Sequence, residues 1–105
     1  MNAEQTTTVE ETQEMTHVIL QINLWIDSYG NTYHKTKAVL YKPRTMEGEV
    51  IYESPYIEYG STSQAQYEVY KLLGFSSSYH ARQAGVLVHT LSKYTKKADM
   101  KYFTI

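Results

Sequence analysis

Histidine is the residue type in this chain that could do the widest range of chemistry, because an imidazole can act as a general base or bind a metal ion. The four histidines are His17, His34, His80 and His89. Their spacing contains no i,i+4 pair and no HExxH pattern, and no tight carboxylate cluster accompanies them in the sequence. The chain also has no cysteine, which excludes disulfides, thiol catalysis and thiolate metal ligands. We therefore expect no metal site, no cofactor and no enzymatic activity.

Tyrosine and lysine could supply a different chemistry, the binding of a macromolecular surface. The chain has 11 tyrosines but only two phenylalanines and one tryptophan. Tyrosine combines a large contact area with a polar tip and is enriched in binding interfaces. A core of this size cannot hold all of them, so some tyrosines must face solvent. Tyr59 and Tyr67, within the tyrosine-rich segment 52–70, are candidate contact residues.

A β-hairpin positions the next group of candidates. Asp27 and Gly30 are the first and fourth residues of Asp-Ser-Tyr-Gly, which is typical of a type I turn. Gly30 can take the left-handed conformation that closes a three-residue loop. A two-residue loop would place Lys35 and Lys37 opposite Leu24 and Ile22. The three-residue loop keeps apolar residues on one face and is therefore favoured.

This register assigns side chains to two faces. The core face carries Leu20, Ile22, Leu24 and His34, and the opposite face carries Trp25, Tyr33, Lys35 and Lys37. On the core face near the turn, His34 lies close to Asp27 and Tyr33. It could act there as a general base, or it could be a structural group whose ring nitrogens are bonded by backbone or by a carboxylate.

The rest of the chain predicts further strands and two helices. Strands are expected at 17–26, 31–41 and 49–54. A helix begins at Ser61 or Ser63 with a capping box and ends at Gly74, with Tyr67 on its exposed side. The serines at 76–78 can cap a second helix, in which residues from Ala81 to Thr95 recur at helical spacing along one side. The run from Gly85 to Val88 could instead form a buried strand. A last short strand is expected at 100–105.

These elements predict an α+β fold. We expect a small antiparallel sheet of three to four strands and two helices, in the order β-β-β-α-α-β, with the helices on the face of Leu20, Ile22 and Leu24. Residues 1–16 contain four glutamates and no lysine or arginine, and we expect them to be a disordered acidic leader. Residues 17–105 would form a single α+β domain. No signal peptide or membrane-spanning segment is visible, so we expect a soluble, cytoplasmic protein.

Two motifs resemble known proteins. The run Trp25-Ile-Asp-Ser-Tyr-Gly-Asn-Thr-Tyr-His34, followed by Tyr59-Gly-Ser-Thr-Ser-Gln-Ala-Gln-Tyr67, is similar to a W-x-D-S-x-G-N-T-Y-H hairpin and a helix approach in short bacteriophage-encoded proteins of unknown function. The resemblance covers about residues 25–73, and residues 62–65 depart from the usual approach to the helix. It implies a small viral accessory protein and carries no catalytic residues.

Two functions follow from these observations. One is a non-enzymatic phage accessory protein in the host cytoplasm that binds a host protein or ribonucleoprotein complex. It would act, for example, as an inhibitor of a defence system such as CRISPR. The alternative is a nucleic-acid-binding module that stacks bases on Trp25 and Tyr33 and contacts phosphates with Lys35 and Lys37. No RRM, KH or helix-turn-helix signature is present, and the ten basic against seven acidic residues beyond position 16 give only a modest positive charge.

Overall fold

The computed structural model describes residues 15–44 and 47–105, so the predicted leader lies outside the described residues except for Met15 and Thr16. The described residues form five strands, two helices and a 3-10 turn. Their order is β1 (Thr16–Ile26), β2 (Thr32–Tyr41), β3 (Gly48–Glu53), β4 (Glu58–Tyr59), α1 (Thr62–Leu73), α2 (Ser78–Gln83), β5 (Val86–Tyr94) and the turn Lys97–Asp99. The α+β class is confirmed.

The β1–β2 hairpin has the predicted register. Leu24 pairs with His34, and Trp25 pairs with Tyr33. Gly30 has φ +86°, and its N–H donates to the Asp27 carbonyl at 3.1 Å, as a three-residue loop closed by a left-handed residue requires. The Asp27 carboxylate accepts the backbone N–H groups of Tyr29 and Asn31, each at 2.9 Å, and stabilises the loop from inside.

We expect Gly30→Ala to lower the free energy of unfolding by about 1 kcal/mol, because a β-carbon is disfavoured at positive φ. Apart from Gly30 and its two chain neighbours, no residue has a heavy atom within 4 Å of the added carbon, so the loss reports backbone strain without a clash. The exposed Ser28→Ala change is the control and should stay within about 0.5 kcal/mol. Denaturant melts measure both variants, and equal stabilities would contradict the turn assignment.

The sheet is mixed and has five strands, so the prediction of an antiparallel sheet of three to four strands is wrong. Its strand order is β3-β2-β1-β5, with β4 pairing with β2 beside β3. β5 runs parallel to β1, from the pair Thr16–Val86 to the pair Leu24–Tyr94. The reason is the path of the chain. β4 lies at the hairpin end of the sheet, and the helices carry the chain back to the start of β1, from which β5 runs in the same direction.

The second helix is shorter than predicted. α2 ends at Gln83, and Gly85, with φ +85°, turns the chain into β5. The predicted helical stripe beyond residue 84 is therefore wrong, and the alternative of a strand near residues 85–88 is the one observed. Without β5, β1 would be left as an apolar edge with unpaired backbone groups, so pairing outweighs the local helical pattern.

The core lies between the sheet and α1. Val18, Leu20, Ile22, Leu24 and Ala38 from the sheet pack with Ala65 and Val69 of α1. Both helices were expected on this face, and the prediction is confirmed for α1. α1 ends at Gly74 in the left-handed conformation, also as predicted.

The opposite face of the sheet is partly covered by residues 97–105, and the predicted strand at 100–105 is wrong. Asn23 is fully buried, and its amide donates to the main-chain oxygens of Met100 at 2.9 Å and Tyr102 at 2.7 Å. Gln21 accepts the Thr104 N–H at 2.8 Å. The Asn23 and Gln21 side chains form hydrogen bonds with backbone groups of this segment that a strand would use for pairing. Residues 97–105 therefore bind the face of the sheet and do not add a strand to it.

Candidate functional site

Three aromatic rings lie in line across neighbouring strands at the hairpin end of the sheet. Trp25 of β1, Tyr33 of β2 and Tyr59 of β4 form this aromatic ladder. The ring centroids of Trp25 and Tyr33 are 5.2 Å apart, and those of Tyr33 and Tyr59 are 5.6 Å apart in an edge-to-face arrangement. Cross-strand pairing of Tyr33 with both neighbours places all three rings on one face. Trp25 and Tyr33 are half-buried, whereas Tyr59 is 70% exposed.

The middle ring of the ladder is held by the hairpin turn. Desolvation, the nearby Asp27 charge and the hydrogen bond to Asp27 all raise the pKa of Tyr33, with a smaller contribution from Tyr59. Desolvation acts to raise the pKa of Asp27, but hydrogen bonds from Asn31, Tyr29 and Tyr33 outweigh it and lower the pKa. At neutral pH the Tyr33 hydroxyl is therefore a proton donor to a carboxylate, which orients the ring.

The two predicted lysines of this face differ from the rings in their surroundings. The Lys37 ammonium group donates to a main-chain oxygen of Ile105 at 2.8 Å, so it binds the segment that covers the sheet. Lys35 is half-buried opposite Asn23. A lysine absent from the predicted site, Lys97, lies over the Trp25 ring with its nitrogen 5.1 Å from the centroid. The face is therefore a ladder of rings bordered by residues 97–105.

Tyr67 lies apart from the ladder. It is on the exposed side of α1, as predicted, and α1 packs on the core face of the sheet. The ladder occupies the other face. The structure therefore brings together Trp25, Tyr33 and Tyr59 of the predicted binding residues, and it separates Tyr67 from them.

His34 is buried on the core face, where its two ring nitrogens have different environments. Nδ1 lies 2.9 Å from the Gly60 carbonyl oxygen, which can only accept, so Nδ1 carries the proton. Nε2 is buried and has no hydrogen-bond partner among the described residues. The predicted structural bond to backbone exists, but its partner is Gly60 at the start of α1 and not the hairpin turn.

Two carboxylates lie near the His34 imidazole. One ligand atom from each of His34, Glu58 and Glu68 lies within 4.8 Å of the others, and we call these residues the His34 cluster. Glu58 of β4 is directly opposite His34 in the sheet, and Glu68 comes from α1. Both glutamates are only half-buried, so the cluster can be reached from solvent.

Gly60 allows the close approach that builds this cluster. Its φ is +130°, and a β-carbon there would lie 2.9 Å from Gln64 Cβ and 3.3 Å from His34 Cε1. The Gln64 amide also donates to Glu68 at 3.3 Å and restrains that carboxylate. A residue without a side chain at position 60 therefore lets the turn before α1 pass over the imidazole.

Sequence reasoning missed the carboxylates of the His34 cluster. It identified His34 as the histidine of interest but looked for its partners at the hairpin turn. β4 is only two residues long, so no alternating pattern could place Glu58 opposite His34. The one usable signal was the predicted core position of a histidine, combined with glutamates on the segment leading into and along α1.

The remaining histidines form separate contacts. His17 Nδ1 and His89 Nε2 are 2.9 Å apart, and the two rings stack with centroids 5.2 Å apart. His80 lies at the start of α2, where the Ser77 side chain accepts its backbone N–H. Neither place combines a histidine with two carboxylates among the residues that the structure describes.

No protein-family model matches the chain, and no curated protein or solved structure shows significant similarity to it. Within residues 15–44 and 47–105, no helix is long and apolar enough to cross a membrane.

Proposed function

We propose that this protein is a non-enzymatic accessory protein that binds another protein through its aromatic ladder. The observation that carries the proposal is the alignment of three rings across three strands, with the outermost ring, Tyr59, largely exposed. Aromatic side chains on a rigid sheet lose little conformational entropy on binding, and they dominate the energetics of protein interfaces.

Other apolar groups are exposed at the same end of the sheet. Tyr29, in the hairpin loop, is 89% exposed, and Ile26, the last residue of β1, is 50% exposed. Tyr94, beside Leu24 at the end of β5, is also exposed and, like Ile26, borders the ladder from the other face of the sheet. Exposed apolar and aromatic groups concentrated at one end of a small protein are typical of an interaction surface.

The class of partner comes from the resemblance to phage-encoded proteins. It favours a host protein or ribonucleoprotein complex as the target, and inhibition of a host defence system such as CRISPR as the outcome. A tyrosine-rich surface suits this role because it can occlude a partner's surface without chemistry. Nucleic acid is the less favoured ligand because the Lys37 ammonium group is taken up by Ile105, which removes one phosphate contact from the face.

A pair of exposed tyrosines tests the proposal. Tyr59 belongs to the ladder, whereas Tyr56, which is 74% exposed and three residues earlier, does not. We expect Tyr59→Ala to weaken capture of the partner by at least about tenfold, the effect of a residue contributing about 1.4 kcal/mol or more to binding. Tyr56→Ala should bind as the unmodified protein does. Both variants should melt like the unmodified protein.

The measurement is a pull-down from host-cell lysate with the full chain, with and without nuclease, followed by affinity measurement on the captured protein. Capture that survives nuclease, depends on Tyr59 and responds weakly to salt supports a protein interface. Equal loss with Tyr56→Ala and Tyr59→Ala would contradict the ladder as the site. Capture abolished by nuclease, with a steep salt dependence, would replace the proposal with nucleic-acid binding.

A further inference from the structure

We propose that His34, Glu58 and Glu68 form a binding site for a divalent first-row transition-metal ion, with Zn²⁺ as the best fit. This inference stands on the His34 cluster alone and does not depend on the aromatic ladder binding a partner. It begins from the unpartnered Nε2 atom of a buried histidine.

The tautomer of His34 leaves an unshared lone pair on Nε2. Because the Gly60 carbonyl oxygen accepts from Nδ1 at 2.9 Å, Nε2 is unprotonated in the neutral ring. A histidine that donates one ring N–H to a backbone carbonyl and binds through the other nitrogen is the usual arrangement of a metal ligand. A buried acceptor without a partner costs free energy, so the cluster gains stability when that atom is bonded.

Charge points to a cation as the missing partner. One ring nitrogen of His34 and one carboxylate oxygen from each of Glu58 and Glu68 lie within 4.8 Å of one another. Nε2 is the ring nitrogen that lacks a hydrogen-bond partner. The hydrogen bond from Gln64 to Glu68 supplies only one donor, at 3.3 Å. A divalent ion would neutralise both carboxylates and satisfy the imidazole in a single step.

The distances and donor types indicate which ion. Ligand atoms about 2.0–2.2 Å from Zn²⁺ lie no more than about 4.4 Å apart, so small side-chain rotations would bring the cluster into coordination distance. One imidazole nitrogen with two carboxylate oxygens suits Zn²⁺, Mn²⁺ or Co²⁺, whereas Mg²⁺ and Ca²⁺ prefer oxygen ligands alone. Three protein ligands would leave at least one coordination position for water.

A bound ion would join three elements of the fold. His34 belongs to β2, Glu58 to β4 and Glu68 to α1, so coordination adds a link between the short strand β4 and its neighbours. Glu58 and Tyr59 are consecutive residues of β4 on opposite faces. The ion would therefore also restrain the strand that carries the exposed ring of the aromatic ladder.

The test uses the tag-free full chain after removal of metal with a chelator. Zn²⁺ is added in a calorimetric titration, with Co²⁺ as a spectroscopic probe and Mg²⁺ as a comparison ion. We expect one Zn²⁺ per chain with micromolar or tighter affinity. We also expect a rise in melting temperature, and a shift of the His34 Nε2 resonance in ¹⁵N NMR spectra.

Matched glutamate variants locate the site. Glu58→Gln and Glu68→Gln should each weaken Zn²⁺ binding by at least about tenfold. Mutation of a residue that only contacts a metal ligand already weakens metal binding by about tenfold or more, and the loss of a ligand should cost at least as much. Without metal both variants should be at least as stable as the unmodified protein, because each removes a carboxylate from a cluster of like groups. Glu49→Gln, at an exposed position of β3, should bind Zn²⁺ normally.

His89→Gln separates this site from the other histidine pair. It should leave Zn²⁺ binding unchanged, since His89 contacts His17 and lies outside the His34 cluster. Loss of binding in His89→Gln alone would overturn the proposal by placing the ion at the pair of His17 and His89. The proposal would also be overturned if Zn²⁺ did not bind to the protein after removal of metal. Zn²⁺ affinities of Glu58→Gln and Glu68→Gln equal to that of the unmodified protein would overturn it as well.

Discussion

Replacing Leu24 with Ala should lower the free energy of unfolding by about 2 to 5 kcal/mol. Leu24 is buried in the cluster that joins β1 to Ala65 and Val69 of α1. The truncation removes buried methyl groups and leaves a cavity that a sheet paired on both sides cannot close. Urea melts of the full chain measure the loss, with the slope checked against that of the unmodified protein.

Ile26 provides the control for this prediction. It lies on the same face and strand, two residues further along, but half of its surface is exposed. Ile26→Ala should therefore cost only about 1 kcal/mol. A larger loss for Ile26 than for Leu24 would mean that α1 covers the hairpin end of the sheet more deeply than the structure shows.

Replacing Asn23 with Ala should cost about 2 to 4 kcal/mol, because two main-chain carbonyls lose their donor and each buried unsatisfied group costs about 1–3 kcal/mol. The carbonyls belong to Met100 and Tyr102, within the segment that covers the second face of the sheet. That segment also carries Lys97, which lies over Trp25. Because Trp25 is the only tryptophan, release of the segment should shift the fluorescence of the folded protein to longer wavelength.

Thr104→Ala is the matched control for Asn23→Ala. It removes a single hydroxyl bond to Gln21 and keeps the backbone bond, so a loss of about 0.5–1.5 kcal/mol is expected. Native fluorescence should then stay unchanged. An Asn23→Ala protein with unaltered stability and emission would show that residues 97–105 are held by contacts other than the Asn23 amide.

The hairpin could be predicted residue by residue because its determinants are local. The turn at Asp27 to Gly30 sets the loop length, and alternation of apolar residues in β1 then allows one parity. The same locality explains the success at α1, whose end at Gly74 depends on one residue with positive φ. Both predictions needed information from fewer than about twenty consecutive residues.

Elements whose structure depends on distant partners could not be predicted in this way. Residues 86–94 carry both a helical stripe and strand-forming residues, and pairing with β1 decides between them. Asn23 and Gln21 are polar residues on what looked like an open face. Their burial follows from the position of residues 97–105, whose attachment through side-chain amides has no periodic signature.

The candidate sites also contain some residues that local sequence could place and others that depend on distant pairing. The pair of Trp25 and Tyr33 follows from the hairpin register, so the sequence located two of the three rings of the aromatic ladder. Tyr59 was named as a contact residue, but its place beside Tyr33 depends on the pairing of β4 with β2. The same pairing places Glu58 opposite His34, and it could not be anticipated from a two-residue strand that follows Pro55.

The parallel pairing of β1 with β5 also has a consequence for synthesis of the protein on the ribosome. Thr16 pairs with Val86, so the partner of β1 on that side is made 70 residues later. The hairpin can form once residue 41 has emerged, but one edge of β1 then stays open while the chain grows at about 5–20 residues per second. For those seconds the nascent chain exposes an unpaired apolar strand edge. Such an edge can pair with other chains and aggregate unless a chaperone binds it. Folding is completed only when β5 arrives.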